Sequence, residues 1–439
     1  MNLTVPRILE ADWTWTGQKF ESGCQIAIDA NGNIERIGRL SQPPAERLQG
    51  QALLPGMINT HSHAFQRGLR GRGDVFPAGV GTFWSWREAM YRLVEELDAE
   101  PFHRLCVQAF REMLATGTTS VGEFHYFHHT RATTDYAFDR IVMDAAKEAG
   151  IRMVLLLTYY RTGGVGQPLQ GGQLRFATAS PEEYWAQMDR LAPHLDSSTQ
   201  TMGAVAHSIR AATPHEIAAL HAESIRRKLP FHIHVEEQRK EVEDARACYG
   251  ATPMALLTRS IRDCSNVTAI HCTHTEPRDM ETYLDQGGNV CLCPLTEGNL
   301  GDGIPSLAPV HRAGGRICLG SDSNNRISMF EDMRWLEYGQ RLSEETRGVL
   351  RPADGHLART LFEAATQGGA SALGLSTGAI AAGTPADFFT VDLNTPALAG
   401  WTPDTLLDSM IFGADPSIVQ ATAVGGKWVY QRSKGWLPP

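Results

Sequence analysis

Eight short apolar runs recur along the chain, each leading through a polar loop into residues with a helical period. They are GMINTH (56–61), GTTSVGEFH (117–125), IRMVLLLTYY (151–160), TMGAVAHS (201–208), PFHIHVEE (230–237), NVTAIHC (266–272), GGNVCLCP (287–294) and GRICLGSD (315–322). The runs are rich in Val, Ile and Leu without clean alternation, the pattern of strands buried on both faces. Between them lie amphipathic stretches such as PHEIAALHAESIRRK (214–228) and PMALLTRSIRD (253–263). Eight strand–helix units predict an α/β fold, a (β/α)8 TIM barrel.

The two ends of the chain read differently. CQIAIDANGNIERIGRL (24–40) is two alternating strands joined at Asn31-Gly32, and IVQATAVGGKWVYQ (418–431) repeats the hairpin signal at Gly425-Gly426. ADFFTVDL (386–393) adds another strand. Neither end buries a core of its own, so the ends are expected to pack together as one small β-sandwich. The expected division is 1–55 plus 378–439 for the sandwich and 56–377 for the barrel.

Charge narrows the partners. With 40 Lys and Arg against 49 Asp and Glu, the net charge is −9, which disfavours nucleic acid and anionic membranes. The start, MNLTVPRILEADWTW, lacks a basic segment followed by an apolar one, and no run of 18 apolar residues occurs. The eight cysteines are scattered with no C-x-x-C, and Cys291 and Cys293 read as small apolar groups on a strand. A reduced, cytoplasmic protein is expected, as a homodimer.

Chemistry gathers where the runs end. Residues i and i+2 of a strand share a face, so His61 and His63 can aim two ring nitrogens at one point, at a zinc-ligand distance of about 2.0–2.1 Å. Barrel active sites lie at the C-terminal strand ends. His234 ends the fifth run and Asp322 the eighth, completing a set of three nitrogens and one oxygen. Such a set suits one Zn²⁺ per chain, with Fe²⁺ or Mn²⁺ as substitutes. Glu237, three residues past His234, is placed to accept a proton from an activated water. Asp322 shares that role. His271 ends the sixth run and would polarise the reacting atom, with His274 its rival. His232 reads as a core residue behind the site. The fourth run offers no Lys or Glu to bridge a second metal.

These residues resemble the amidohydrolase superfamily, in its subgroup of deaminases with a single metal. Within it, NTHSHAFQRGLRGRG, FWSWREAMYRL, GEFHYFHH, AHSIRAATP, HIHVEEQRKEVED, TEGNLGDGI and SDSNNRISMFEDMRWLEYGQRL, spread over 59–342, are similar to the formimidoylglutamate deiminases. The resemblance implies hydrolysis of N-formimidoyl-L-glutamate to N-formyl-L-glutamate and ammonia, in histidine breakdown. It implies a dicarboxylate substrate, for which Arg210, beside His207, and Arg87 are natural forks. The family's pattern also points to Gln66 and Tyr126 as substrate contacts. Trp335 and Tyr338 read as helix packing, with apolar positions at 329, 333, 336 and 342. Asn324 stands where the family usually has His, a change expected to bear on substrate choice. Rival readings are a deaminase of another formimidoyl or guanidino acid, or of a purine, pterin or triazine ring. A barrel without catalysis would show broken ligands, and none is broken.

Overall fold

The computed structural model describes residues 7–74, 76, 81, 83–131, 133–308, 310 and 314–439. The first six residues, part of the segment read as lacking a leader, lie outside the described residues.

The eight apolar runs are eight parallel strands: β1 (Met57–Ser62), β2 (Thr118–His125), β3 (Arg152–Tyr159), β4 (Gln200–Ser208), β5 (Phe231–Val235), β6 (Val267–His271), β7 (Asn289–Leu292) and β8 (Arg316–Leu319). They pair in chain order from β1 to β8. Where β8 returns to β1, Asp322 N–H donates to the His61 carbonyl at 3.0 Å and His63 N–H to the Asp322 carbonyl at 2.9 Å. The barrel thus closes at the very residues that carry its chemistry. Gly320 permits that approach, because a Cβ there would lie 2.7 Å from the His61 Cβ.

The helices between strands begin on explicit signals. At Pro214–Arg227, the Thr213 hydroxyl accepts from Glu216 N–H, and the Glu216 carboxylate accepts from Thr213 N–H, a capping box followed by proline.

The chain ends form a second, nine-stranded sheet. Its centre is Glu46–Pro55, paired in parallel with Arg7–Trp15 and antiparallel with Phe388–Asp392 from the other end of the chain. Leu9, Ile26, Ile34, Leu53, Phe388 and Ala423 share a small core distinct from that of the barrel. Strands from both ends of the chain contribute to this core. The glycines of the Gly425-Gly426 turn have φ of +56° and +73°, the left-handed pair that a two-residue hairpin demands. Arg152 on β3 ties barrel to sheet by donating to both carboxylate oxygens of Asp387, at 2.6 and 3.1 Å.

One expectation is corrected. In the helix Met329–Glu344, Met329, Met333 and Leu336 are buried, but Trp335 is 48% and Leu342 70% exposed. At about 100° per residue, positions 335 and 342 lie roughly 220–240° around the helix from 329, on its outer side. Tyr338 does pack, stacking on Phe412 with ring centroids 6.1 Å apart. Among the described residues, no helix is long and apolar enough to cross a membrane.

Candidate metal centre and active site

His61 lies near the end of β1, His63 just beyond it, His234 near the end of β5, and Asp322 just beyond β8. Glu236, His271, Cys272, Asp322 and Asn324 all have positive φ, between +51° and +73°. Left-handed backbone at non-glycine residues costs on the order of 1–3 kcal/mol each and concentrates at functional sites. Here it bends the chain at three strand ends and turns His271 and Asp322 inward.

The side chains converge. His61 Nε2 lies 3.2 Å from His234 Nε2 and 3.4 Å from Asp322 Oδ1, and His63 Nε2 lies 3.3 Å from that same oxygen. His63 Nδ1–H donates to the Phe124 carbonyl at 2.8 Å and His234 Nδ1–H to the His207 carbonyl at 2.9 Å. These bonds fix the tautomer and leave each Nε2 lone pair facing the centre. Burial, reinforced by the neighbouring imidazoles, pushes the His63 pKa down to about 3 and those of His61 and His234 well below the ordinary value. The three rings are therefore neutral, the state in which imidazole binds metal.

His63 Nε2, a lone pair because Nδ1 carries the proton, faces Asp322 Oδ1 at 3.3 Å, two acceptors that repel unless a cation lies between them, and the buried Nδ1 of His61 has no partner. Four donors at about 2.05 Å from a tetrahedral centre stand about 3.3 Å apart, as His61–His234, His61–Asp322 and His63–Asp322 do here, while His61, His63 and His234 form one close group and His61, His271 and Asp322 another. The chain thus fits a divalent ion held by His61, His63, His234 and Asp322.

The remaining candidates line one cavity above this set. It is walled by His63, Gln66, Arg87, Tyr126, His207, Arg210, His234, Glu237, His271 and Asp322, while His61 lies beneath its floor. Glu237 Oε2 accepts from Arg210 Nη2 at 2.8 Å, and Arg210 Nε is 3.7 Å from Glu241. Gln66 Nε2 donates to the Tyr126 hydroxyl at 2.6 Å. His271 Nδ1–H donates to Glu297 at 3.3 Å, turning Nε2 toward Asp322, 3.8 Å from Oδ2. Burial alone would lower the His271 pKa, but the Glu297 hydrogen bond and the charges of Glu237 and Asp322 outweigh it and hold it up at about 10. His274 is half-buried and off the cavity wall, so geometry favours His271 for the sixth-strand role. His232 donates through Nε2 to the Ala372 carbonyl at 2.9 Å, in the core as expected.

The chain belongs to the amidohydrolase family. The family's model matches residues 52–429. A formimidoylglutamate deiminase of Pseudomonas aeruginosa is 41% identical over 412 residues, which is 92% of this chain and 90% of that one. A crystal structure of an amidohydrolase from Brucella melitensis superposes with a TM-score of 0.88 at 33% identity, covering 97% of this chain and 95% of the other. An adenosine deaminase from Xanthomonas campestris with bound zinc shares the fold, with a TM-score of 0.82 at 23% identity over 98% and 93% of the two chains. This amidohydrolase is accordingly a hydrolase acting on C–N bonds, of a kind that works with a divalent metal.

Two findings depart from the sequence reading. Asn324 does not reach the cavity. It is fully buried at the β1–β8 seam, where its Nδ2 donates to Ser62 Oγ at 3.0 Å and its Oδ1 accepts from Ser321 Oγ at 2.6 Å. Its side-chain contacts are with the Ser62 and Ser321 hydroxyls, beside His61, His63 and Asp322. Conversely, Tyr91, Tyr160 and Trp86 line the cavity and were not singled out. Tyr160 follows directly on β3, and the strand-end rule that selects Asp322 selects it too.

Proposed function

We propose that this amidohydrolase, loaded with Zn²⁺, hydrolyses N-formimidoyl-L-glutamate to N-formyl-L-glutamate and ammonia, a step of histidine breakdown. The observation that carries this reading is a single cavity with the metal set, Glu237 and His271 at its floor and two arginines, Arg87 and Arg210, in its wall. That polarity suits a molecule with an amidine at one end and carboxylates at the other. A flat neutral ring has no use for two guanidinium groups. The 41% identity to a formimidoylglutamate deiminase supports the same substrate.

When bound, the ion supplies Lewis acidity that activates water and polarises the amidine carbon. The chain's own groups do the rest. Glu237 accepts a proton as water oxygen bonds to the carbon and delivers it to the imine nitrogen, then passes on the remaining hydroxyl proton as the carbonyl forms, the C–N bond breaks and ammonia leaves. Arg210 keeps Oε2 of Glu237 oriented and adds positive charge at the carboxylate end. His271, steadied by Glu297, faces the charge that builds on the tetrahedral carbon's substituents. Arg87, with Gln66, Tyr126 and His207, places the substrate's carboxylates. The cysteines are free, which supports a reducing, cytoplasmic setting.

The test is ammonia release by the zinc-loaded protein from N-formimidoyl-glutamate, N-formimidoyl-aspartate, guanidino acids and simple purines. We expect N-formimidoyl-glutamate to lead the purines by at least about 10²-fold in kcat/KM, as expected where charged groups do the selecting. Faster turnover of a purine contradicts the assignment.

A further inference from the structure

Arg210 lies between two carboxylates. From the cavity wall its Nη2 donates to Glu237 Oε2 at 2.8 Å, while its Nε donates to Ser208 Oγ at 3.4 Å and stands 3.7 Å from Glu241 Oε2. Among the described residues no partner takes Nη1, which leaves that nitrogen for a substrate carboxylate.

Glu241 is placed differently from Glu237. It sits in the first turn of the helix Arg239–Tyr249, buried and off the cavity wall. Neither of its carboxylate oxygens makes a well-formed hydrogen bond, so Arg210 faces it by charge alone. Burial, joined by the charge of Glu237, pushes its pKa up to about 6, and the Arg210 charge and the Glu236 N–H keep it from rising further. At about pH 8 it is therefore ionised.

A buried carboxylate without hydrogen bonds adds little to stability. What it changes is charge. One guanidinium against two carboxylates leaves a negative charge in excess, where Arg210 and Glu237 alone would be neutral. Both partners of Arg210 feel that excess. A carboxylate takes up a proton more readily beside another negative charge, and a guanidinium already shared between two anions holds a third less tightly.

We infer that Glu241 is a positioning residue for the reaction, acting through Arg210: its charge loosens the guanidinium's hold on Glu237, so that Glu237 can take up and return protons, and on the substrate's carboxylate, so that product can leave. This rests on the dicarboxylate reading above.

The experiment compares Glu241→Gln and Glu241→Asp with wild type at about pH 8. It measures turnover of N-formimidoyl-L-glutamate and, by titration calorimetry, binding of glutarate, a dicarboxylate with no amidine. In Glu241→Gln one negative charge is gone, so KM and the glutarate dissociation constant should both fall roughly 3- to 30-fold, and kcat should fall by a similar factor. Glu241→Asp keeps the charge and should stay within about 3-fold of wild type in all three. Loss of a merely structural residue would not tighten glutarate. A KM, kcat or glutarate constant that rises or holds in Glu241→Gln overturns the assignment, as does a Glu241→Asp protein that behaves like Glu241→Gln. If E241Q folds poorly by circular dichroism, Glu241→Met, which removes the charge and keeps the length of the side chain, carries the same test. Wild-type protein inactive on N-formimidoyl-L-glutamate overturns the substrate reading itself. Wild-type activity with unaltered constants in E241Q removes Glu241 alone.

Discussion

Among the described residues lie two buried clusters of histidine and aspartate, built on opposite rules. In one, His61, His63 and His234 point Nε2 atoms at one another and at Asp322. In the other, behind the end of β2, His125 and His128 surround Asp139. There, His128 Nδ1–H donates to Asp139 Oδ1 at 2.7 Å and Nε2–H to the Thr158 carbonyl at 2.8 Å, while His125 Nε2–H adds a third bond at 3.0 Å. Gln187 donates to the other Asp139 oxygen at 2.8 Å. Both nitrogens of His128 face acceptors, the Asp139 carboxylate and the Thr158 carbonyl. The cluster is complete without an ion. The first is not, since its lone pairs meet lone pairs. Residue type and proximity are alike in the two; what separates a metal centre from a structural ion pair is whether donors and acceptors already match.

The largest expected effect breaks the first cluster. His234→Ala should remove the bound metal and reduce activity by at least about 10³-fold, whereas Asp139→Asn should keep a full complement of metal; elemental analysis of both variants reads this directly. Breaking the second cluster shows in stability. Asp139→Ala leaves the buried donors of His125, His128 and Gln187 without their acceptor, and urea unfolding should report a loss of about 1–3 kcal/mol.

Acid sharpens the contrast. Burial alone would raise the Asp139 pKa, but the His128 and His125 imidazoles hold it well below the ordinary carboxylate range. A depressed carboxyl contributes stability that is complete above its unfolded pKa of about 3.9 and is lost as pH falls toward the folded value. Below about pH 4, therefore, unfolding free energy should fall less steeply in Asp139→Asn than in wild type, by at most about 1.4 kcal/mol per pH unit. Equal slopes would show that Asp139 is not charged in the fold.

The smallest effect concerns the seam. Asn324→Ala should weaken metal affinity by about 10-fold, seen by competition with a chelator, and leave the ratio of kcat/KM between N-formimidoyl-glutamate and N-formimidoyl-aspartate unchanged. A shifted ratio would return Asn324 to the substrate site.

What the sequence made legible follows from period and position. All eight barrel strands are readable because continuous apolar runs are the mark of strands covered on both faces, and His61, His63, His234, His271 and Asp322 are readable because chemistry collects where such runs stop. The hairpins at Asn31-Gly32 and Gly425-Gly426 are readable from turn residues alone. Asn324 has a left-handed φ of +57° and lies off the cavity wall, a placement that residue spacing does not encode. Tyr91 follows Arg87 by one helical turn, whereas Gln173 comes from a 3-10 turn 82 positions from Tyr91, and only the fold brings it there. Trp335 was misjudged for a simpler reason, an error of helical phase.

The most direct measurement is anomalous X-ray scattering from crystals of the zinc-loaded protein, recorded at the metal edge. A single peak bounded by the Nε2 atoms of His61, His63 and His234 and by Asp322, with nothing at His125, His128 and Asp139, is the predicted result. A peak in the second cluster, or none among the three converging imidazoles, would contradict the rule that distinguishes them.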